Sequence, residues 1–225
     1  MVETIKKRLD DYLEFDSNDL FKNTSLVRIF GGAIRDSLCG DEIHDIDILT
    51  GSNSHWILES VLRKNGYNYI ESLTPKDLSS VYTNIKIINE PHSWVNGTKV
   101  VQLIRPATGY KKSESEYIES FNDLIRNVDI SCCGVSYNGY NLYENCPNSI
   151  IQCINKVFFV NTKAKMLTNR IVHRKNKFYD RGWKEIESNT QDIRDLKINN
   201  VLSNKGIVFS NNDYIIEWQG KPSLV

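Results

Sequence analysis

Asp45 and Asp47 stand two positions apart in the run His44-Asp45-Ile46-Asp47-Ile48-Leu49. Acids alternating with isoleucines are the pattern of a strand with one polar and one apolar face, and residues i and i+2 of a strand share a face about 7 Å apart. Two carboxylates so placed repel unless something positive lies between them. The natural occupant is Mg²⁺, a hard cation that takes carboxylate oxygens and keeps substrate phosphates in its shell. Upstream, Gly31 and Gly32 let backbone amides approach an anion closely, at the start of a helix whose dipole favours negative charge. Arg35 adds a cation one turn in. These residues therefore suit a metal seat beside a phosphate cradle.

The elements that must position them follow from local patterning. Residues 26–30 are apolar and β-prone, the two glycines break that strand, 33–39 make two helical turns, and Gly40 stops them. The acid-bearing strand is expected over 44–49. Ahead of it, Val2, Ile5, Leu9, Tyr12 and Leu13 recur at helical spacing and predict a surface helix over 2–15, with 16–25 a loop or partly a short helix. Beyond it, a helix is expected over 56–64, ended by Gly66, then a strand over 67–70. A strand over 81–89 and another over 99–105 are expected to pair antiparallel, with a tight turn at Asn96-Gly97 between them. A helix over 114–125, a strand over 127–137, a returning strand over 140–143, a loop at 146–149 and a last short strand over 157–160 complete this part.

The texture changes at Asn161. Lys163, Lys165, Arg170, Arg174, Lys175, Lys177, Arg181 and Lys184 face only Asp180 as a counter-charge, while Ala164, Leu167, Ile171 and Phe178 form an apolar stripe. This predicts a basic amphipathic helix over 163–184. A further helix over 185–196 and a β-hairpin over 206–218 are expected after it. The reading divides the chain into a domain over 1–160 and a basic helical extension with a C-terminal β-hairpin over 161–225.

The 225 residues suffice for one large or two small domains with a sizeable core. With 28 basic and 28 acidic residues there is no net field to attract nucleic acid, so any such binding needs a local patch. Five cysteines without a Cys-x-x-Cys pair, and four scattered histidines, argue against a zinc framework or a disulfide scaffold. Cys132 and Cys133 read as small buried hydrophobes. Reduced thiols, no apolar signal core and no run long enough to span a bilayer lead to the expectation of a cytoplasmic protein away from membranes, with no obligate protein partner evident.

The stretch 28–50 resembles the head-domain signature of tRNA CCA-adding enzymes of class II and bacterial poly(A) polymerases, within the DNA-polymerase-β-like nucleotidyltransferase superfamily. Gly31, Gly32, Arg35, Asp36, Gly40, Asp45 and Asp47 match that pattern in order and spacing. The resemblance implies an α/β (α+β) head with a mixed, largely antiparallel sheet and flanking helices. Residues 127–135 are similar to a second family motif, with Asp129, Ser131 and Val135 in register. Where the family has two arginines this chain has Asn127 and Val128, and where it has a sugar-side asparagine it has Cys133. On the strand after the acids, where the family often has a third carboxylate, Gln102 is the best-placed polar residue. The run from Arg170 to Trp183 is similar to the family's arginine-rich helix bordering the nucleotide cleft. The resemblance covers residues 26 to about 185, and no counterpart of the family's long tRNA-holding helical body follows it here.

The resemblance thus implies a Mg²⁺-dependent, two-metal transfer of a nucleoside monophosphate from an NTP, ATP or CTP, to an acceptor hydroxyl. Asp45 and Asp47 are its metal ligands and catalytic residues. Gly31, Gly32, Arg35, Asp36, Asp129, Arg174, Lys177 and Arg181 are its nucleotide-binding residues, with Asp36 bracing Arg35 or the turn. An RNA, tRNA-like 3′ end follows as acceptor from the resemblance. A toxin-like transferase modifying protein or tRNA, and a non-catalytic nucleotide- or RNA-binding module, are the alternatives.

Overall fold

The computed structural model describes residues 1–70, 92–105, 113–161 and 168–187. The expected strand over 81–89, the hairpin over 206–218, and the parts of the predicted helices at 163–167 and 188–196 lie outside the described residues.

Six helices and nine strands are described. The helices are α1 (Val2–Leu13), α2 (Gly32–Cys39), α3 (Ser52–Lys64), α4 (Glu114–Arg126), α5 (Ser149–Asn155) and α6 (Thr168–Asp180). The strands are β1 (Val27–Phe30), β2 (Asp45–Thr50), β3 (Asn68–Ile70), β4 (His92–Asn96), β5 (Lys99–Ile104), β6 (Val135–Tyr137), β7 (Leu142–Glu144), β8 (Val157–Phe158) and β9 (Lys184–Glu185). Seven strands form one mixed sheet in the order β3-β4-β5-β2-β1-β6-β7. Only the β2–β5 pair is parallel; every other neighbouring pair in this sheet is antiparallel. The acid-bearing strand is therefore central, held by β1 on one side and β5 on the other.

Period-two alternation sorts the side chains of β2 between two cores. Ile46 and Ile48 join Ile29, Val101 and Leu103 in the larger core, to which α1 contributes Ile5 and Leu9 and α3 contributes Leu58 and Leu62. Leu49, with Phe30 and Ile104, belongs to a smaller core covered by Phe121, Leu124 and Ile125 of α4. The α4 helix starts at a full capping box, in which the Ser113 and Glu116 side chains exchange bonds with each other's backbone amides. Asp45 and Asp47 lie on this second face, where the α4 core gives way to solvent.

Four expectations are corrected. The 127–137 segment is not one strand: after a single bridge from Ile130 to Val160, Ser131–Cys133 tighten into a 3₁₀ turn, and only Val135–Tyr137 is strand. The expected loop at 146–149 runs into α5, whose Ser149 to Cys153 are all buried, so no amphipathic period marks it. The hairpin that turns at Asn96-Gly97 uses 92–96 as its first strand. Finally, Lys184–Glu185 do not open a helix but pair in parallel with Val157–Phe158. That pairing folds α6 back, and Phe178 and Trp183 enter the larger core.

The 3₁₀ turn is possible because Gly134 admits Cys146: a Cβ at 134 would stand 2.3 Å from the Cys146 Sγ and 2.9 Å from its amide nitrogen. Gly134→Ala is expected to lower stability by about 1–3 kcal/mol through overpacking. Urea unfolding should show a lower midpoint at unchanged slope.

Candidate active site

The approach to the acids is set by the turn between β1 and α2. Gly31 has φ 71° and ψ −127°, a backbone state closed to side chains that carry a Cβ. Its amide donates to the Val135 carbonyl at 3.0 Å, which ties the turn to β6. Gly32 then brings the helix start against the acids, since a Cβ there would lie 3.8 Å from Asp45 Oδ1 and 3.7 Å from Arg35 Nη2. The first amides of α2, at Gly32, Ala33 and Ile34, have no intrahelical acceptor.

Asp45 is exposed, whereas Asp47 is partly covered, with its Oδ1 buried and lacking a hydrogen-bond partner among the described residues. Asp47 stands opposite Phe30 on β1 and Gln102 on β5. Burial first, and the Asp45 carboxylate second, push the Asp47 carboxyl up to about 8, against the pull of Arg174. Asp129 is also buried: its Oδ1 accepts from Arg174 at 2.8 Å, and its Oδ2 has no partner among the described residues. Two carboxylates thus each keep a bare buried oxygen in the electrostatic neighbourhood of Arg174. Such oxygens fit a hard divalent cation, which binds through carboxylate oxygen.

The remaining predicted residues divide into two groups. Arg35 is buried, with each guanidinium nitrogen engaged: Nε and Nη2 donate to the two Asp36 oxygens at 2.7 and 2.8 Å, and Nη1 reaches Cys133 Sγ at 3.2 Å. Its guanidinium also lies over the Phe178 ring, 4.8 Å from the centroid. Asp36 Oδ1 accepts in turn from Arg181 at 2.8 Å. Arg181 also reaches Asp41 Oδ2 at 3.1 Å, where Trp183 Nε1 donates at 3.2 Å, and Lys156 pairs with the other Asp41 oxygen at 2.5 Å. Arg35, Asp36 and Arg181 thus form a hub that locks the end of α6 to α2. Arg174 faces the acids, and Lys177 is exposed on α6.

Sequence reasoning missed two members of this site. Asp41 lies in the short connection after Gly40, where nothing in its spacing marks it as an ion-pair partner of residues over a hundred positions away. Cys133 is no mere hydrophobe. A hydrogen bond from Cys132, then the Arg35 and Arg174 guanidiniums, bring its thiol down to about 6 despite burial. The signal was the position of Cys133 in the second motif.

The chain has the fold of the head of CCA-adding enzymes. A CCA-adding enzyme in complex with CTP superposes with TM-score 0.57 at 15% identity, covering 85% of this chain and 44% of that one. A CCA-adding enzyme with ATP gives 0.50 at 16% identity, covering 85% and 39%. The Thermotoga maritima CCA-adding enzyme complexed with tRNA gives 0.50 at 15% identity, covering 85% and 43%. The chain spans less than half the length of each of these proteins. No protein-family model matches the sequence, and no curated protein matches it. No helix among the described residues is long and apolar enough to cross a membrane.

The raised Asp47 pKa has a definite sign in stability. Unfolded, this carboxyl ionises near pH 4; folded and free of metal, it holds its proton to about pH 8. The folded state therefore binds the extra proton between those values, and its stability falls as pH rises through them. Asp47→Asn should remove this slope, stabilising the metal-free protein by on the order of 2 kcal/mol near pH 8 and little near pH 4. Urea unfolding at both pH values, in the presence of chelator, measures it.

Proposed function

We infer that this chain is a Mg²⁺-dependent nucleotidyltransferase that moves a nucleoside monophosphate from ATP or CTP to the 3′ hydroxyl of an RNA. The observation that carries this reading is the pairing of Asp45 and Asp47 on one face of β2, with a bare buried Asp47 oxygen, beside the glycine-opened start of α2. The likeness of the fold to proteins whose structures hold CTP, ATP or tRNA supports the substrate class.

Asp45 and Asp47 would hold Mg²⁺, and Asp129 lies close enough in the charge network to adjust the site. Bound there, Mg²⁺ supplies Lewis-acid stabilisation of charge on the phosphoryl oxygens and lowers the pKa of a coordinated hydroxyl. The Gly32 to Ile34 amides and the α2 dipole receive triphosphate oxygens. Arg174, pinned at one nitrogen by Asp129, holds a cation where charge accumulates in the transition state. Arg35, Asp36 and Arg181 fix the pitch of α2 and so the direction of those amides. Lys177 meets the outer phosphates or the acceptor backbone. Cys133, replacing the family's amide near the sugar, offers no comparable hydrogen bond, so the sugar is held less selectively.

The test is incubation of the full chain with Mg²⁺ and each α-labelled NTP, together with total cellular RNA or total protein. Label is expected at RNA 3′ ends from ATP or CTP, and Asp45→Asn is expected to cut it by about a thousandfold. Label entering protein instead overturns the acceptor. Nucleotide binding that neither needs Mg²⁺ nor responds to Asp45→Asn, with no label transferred, overturns the enzyme in favour of a binding module.

A further inference from the structure

On the opposite face of β2 from the acids, three metal-ligating side chains converge. His55 and Glu59 are one turn apart on α3, and His92 opens β4. His55 Nε2 lies 3.0 Å from His92 Nδ1, His92 Nδ1 lies 2.7 Å from Glu59 Oε1, and His55 Nε2 lies 3.4 Å from the same oxygen. We propose that His55, Glu59 and His92 bind a divalent transition metal, with Zn²⁺ as the reference ion, that staples α3 to the β4–β5 hairpin.

One His55 tautomer leaves the cluster short of protons, the condition in which an ion is favoured there. His55 Nδ1 stands 3.0 Å from the Thr50 hydroxyl. With Nδ1 donating there, Nε2 turns a lone pair into the cluster, the tautomer that an outer hydrogen bond imposes on a metal-bound histidine. Three acceptor atoms then meet with at most one proton, on His92 Nδ1, to share between Glu59 and His55. A divalent ion satisfies all three at once.

The distances suit it. Metal–ligand bonds of roughly 2.0–2.2 Å put the ligand atoms of a tetrahedral site about 3.3 Å apart, so the 3.4 Å edge of the observed triangle already fits, while the 3.0 and 2.7 Å edges need to open by up to about half an ångström or slightly more. Two imidazoles and one carboxylate select zinc-like metals over Mg²⁺, which prefers oxygen throughout. Burial, then the neighbouring His92 and Arg105, bring His55 down to about 4, so it stays neutral and able to ligate at neutral pH. Among the described residues Arg105 is the cation whose charge lowers His55, and the Glu59 carboxylate opposes it. The side chain of His55 is 2% exposed, that of Glu59 15% and that of His92 25%, so an ion can enter from the His92 side.

The other metal-compatible group among the described residues, Asp36, Cys39 and Asp41, differs in having its carboxylates already paired with Arg35, Arg181 and Lys156. At the histidine cluster the pairing is internal. An ion there would bridge positions 33 apart in sequence, between Glu59 and His92. It would fix β4, whose Ser93 pairs with Gln102, which in turn pairs with Asp47.

The full chain, stripped with chelator, should be titrated with Zn²⁺ by calorimetry and with Co²⁺ by visible absorption. One equivalent is expected to bind, with the intense visible bands of low-coordinate cobalt and a raised Tm. His92→Ala and Glu59→Gln should each weaken binding by about tenfold or more and abolish the Tm rise. The Asp45→Asn/Asp47→Asn double variant should bind as wild type, which separates this site from the acids. His92 is partly exposed and Glu59→Gln is isosteric, so circular dichroism should report folded variants. Absence of a stoichiometric site in the wild type, binding that survives both cluster variants, or binding lost with the acids overturns the proposal.

Discussion

The structure is arranged around a repulsion it does not relieve. Asp45 and Asp47 project from one face of a strand that is hydrogen-bonded along both edges, so its backbone cannot twist one of them away. Tyr12 of α1 tightens the constraint: its hydroxyl donates to the His44 carbonyl at 2.7 Å and accepts from the Val100 amide at 2.8 Å, clasping the first residues of β2 to β5. Arg174, the cation whose charge acts on Asp47, is anchored to a third acid, Asp129. A fold that fixes acids this firmly and leaves buried carboxylate oxygens bare is stable with a cation bound, or with a proton retained on Asp47.

The second organising element is the hub of Arg35, Asp36, Asp41 and Arg181. Ion pairs among exposed side chains contribute little, because water screens them. Here Arg35 and Asp36 are buried, so removing one partner would strand the other in a poorly solvating interior. The hub therefore acts as a geometric lock between α2 and the end of α6 rather than as a net source of stability. Aromatic packing completes it, with Phe178 and Trp183 edge-to-face at 5.2 Å and the Arg35 guanidinium over both rings. The lock matters to the site because the same short helix carries the Gly32 amides at its other end.

Much of this could be read from the sequence where local chemistry decides structure. The strand–glycine–helix–strand unit was legible because positive φ at Gly31 and Gly40, apolar alternation in β2 and the short span of α2 are all local properties. Helices α1, α3 and α4 were legible because each is half-buried and shows its period. The misreadings fall where tertiary contacts overrule local pattern. α5 is buried on all sides and so shows no stripe, and the Ser131–Cys133 turn exists because Gly134 lets Cys146 in from another segment. Asp36 bracing Arg35 was legible as well, but the part of Arg181 was hidden, because only the fold brings it to Asp36 and Asp41. The histidine cluster joins a helix to a strand 33 positions away, and no spacing rule reaches that far.

The charge inventory gives the acid site its sense. Asp47, Asp129 and Cys133 share one electrostatic neighbourhood with the Arg35 and Arg174 guanidiniums, and Asp47 carries charge there only once it gives up its proton. Arg35 is engaged by Asp36 and Cys133, and Arg174 pairs with Asp129 while its charge also acts on Asp47. Gln102, the neighbour of Asp47 on β5, adds a dipole but no charge. The metal would therefore rest on two acids instead of three, with correspondingly weaker intrinsic affinity. Substrate phosphates would have to complete its shell. On the proposed function, such a site would hold metal and nucleotide best together, because the triphosphate would supply the oxygens that position 102 does not.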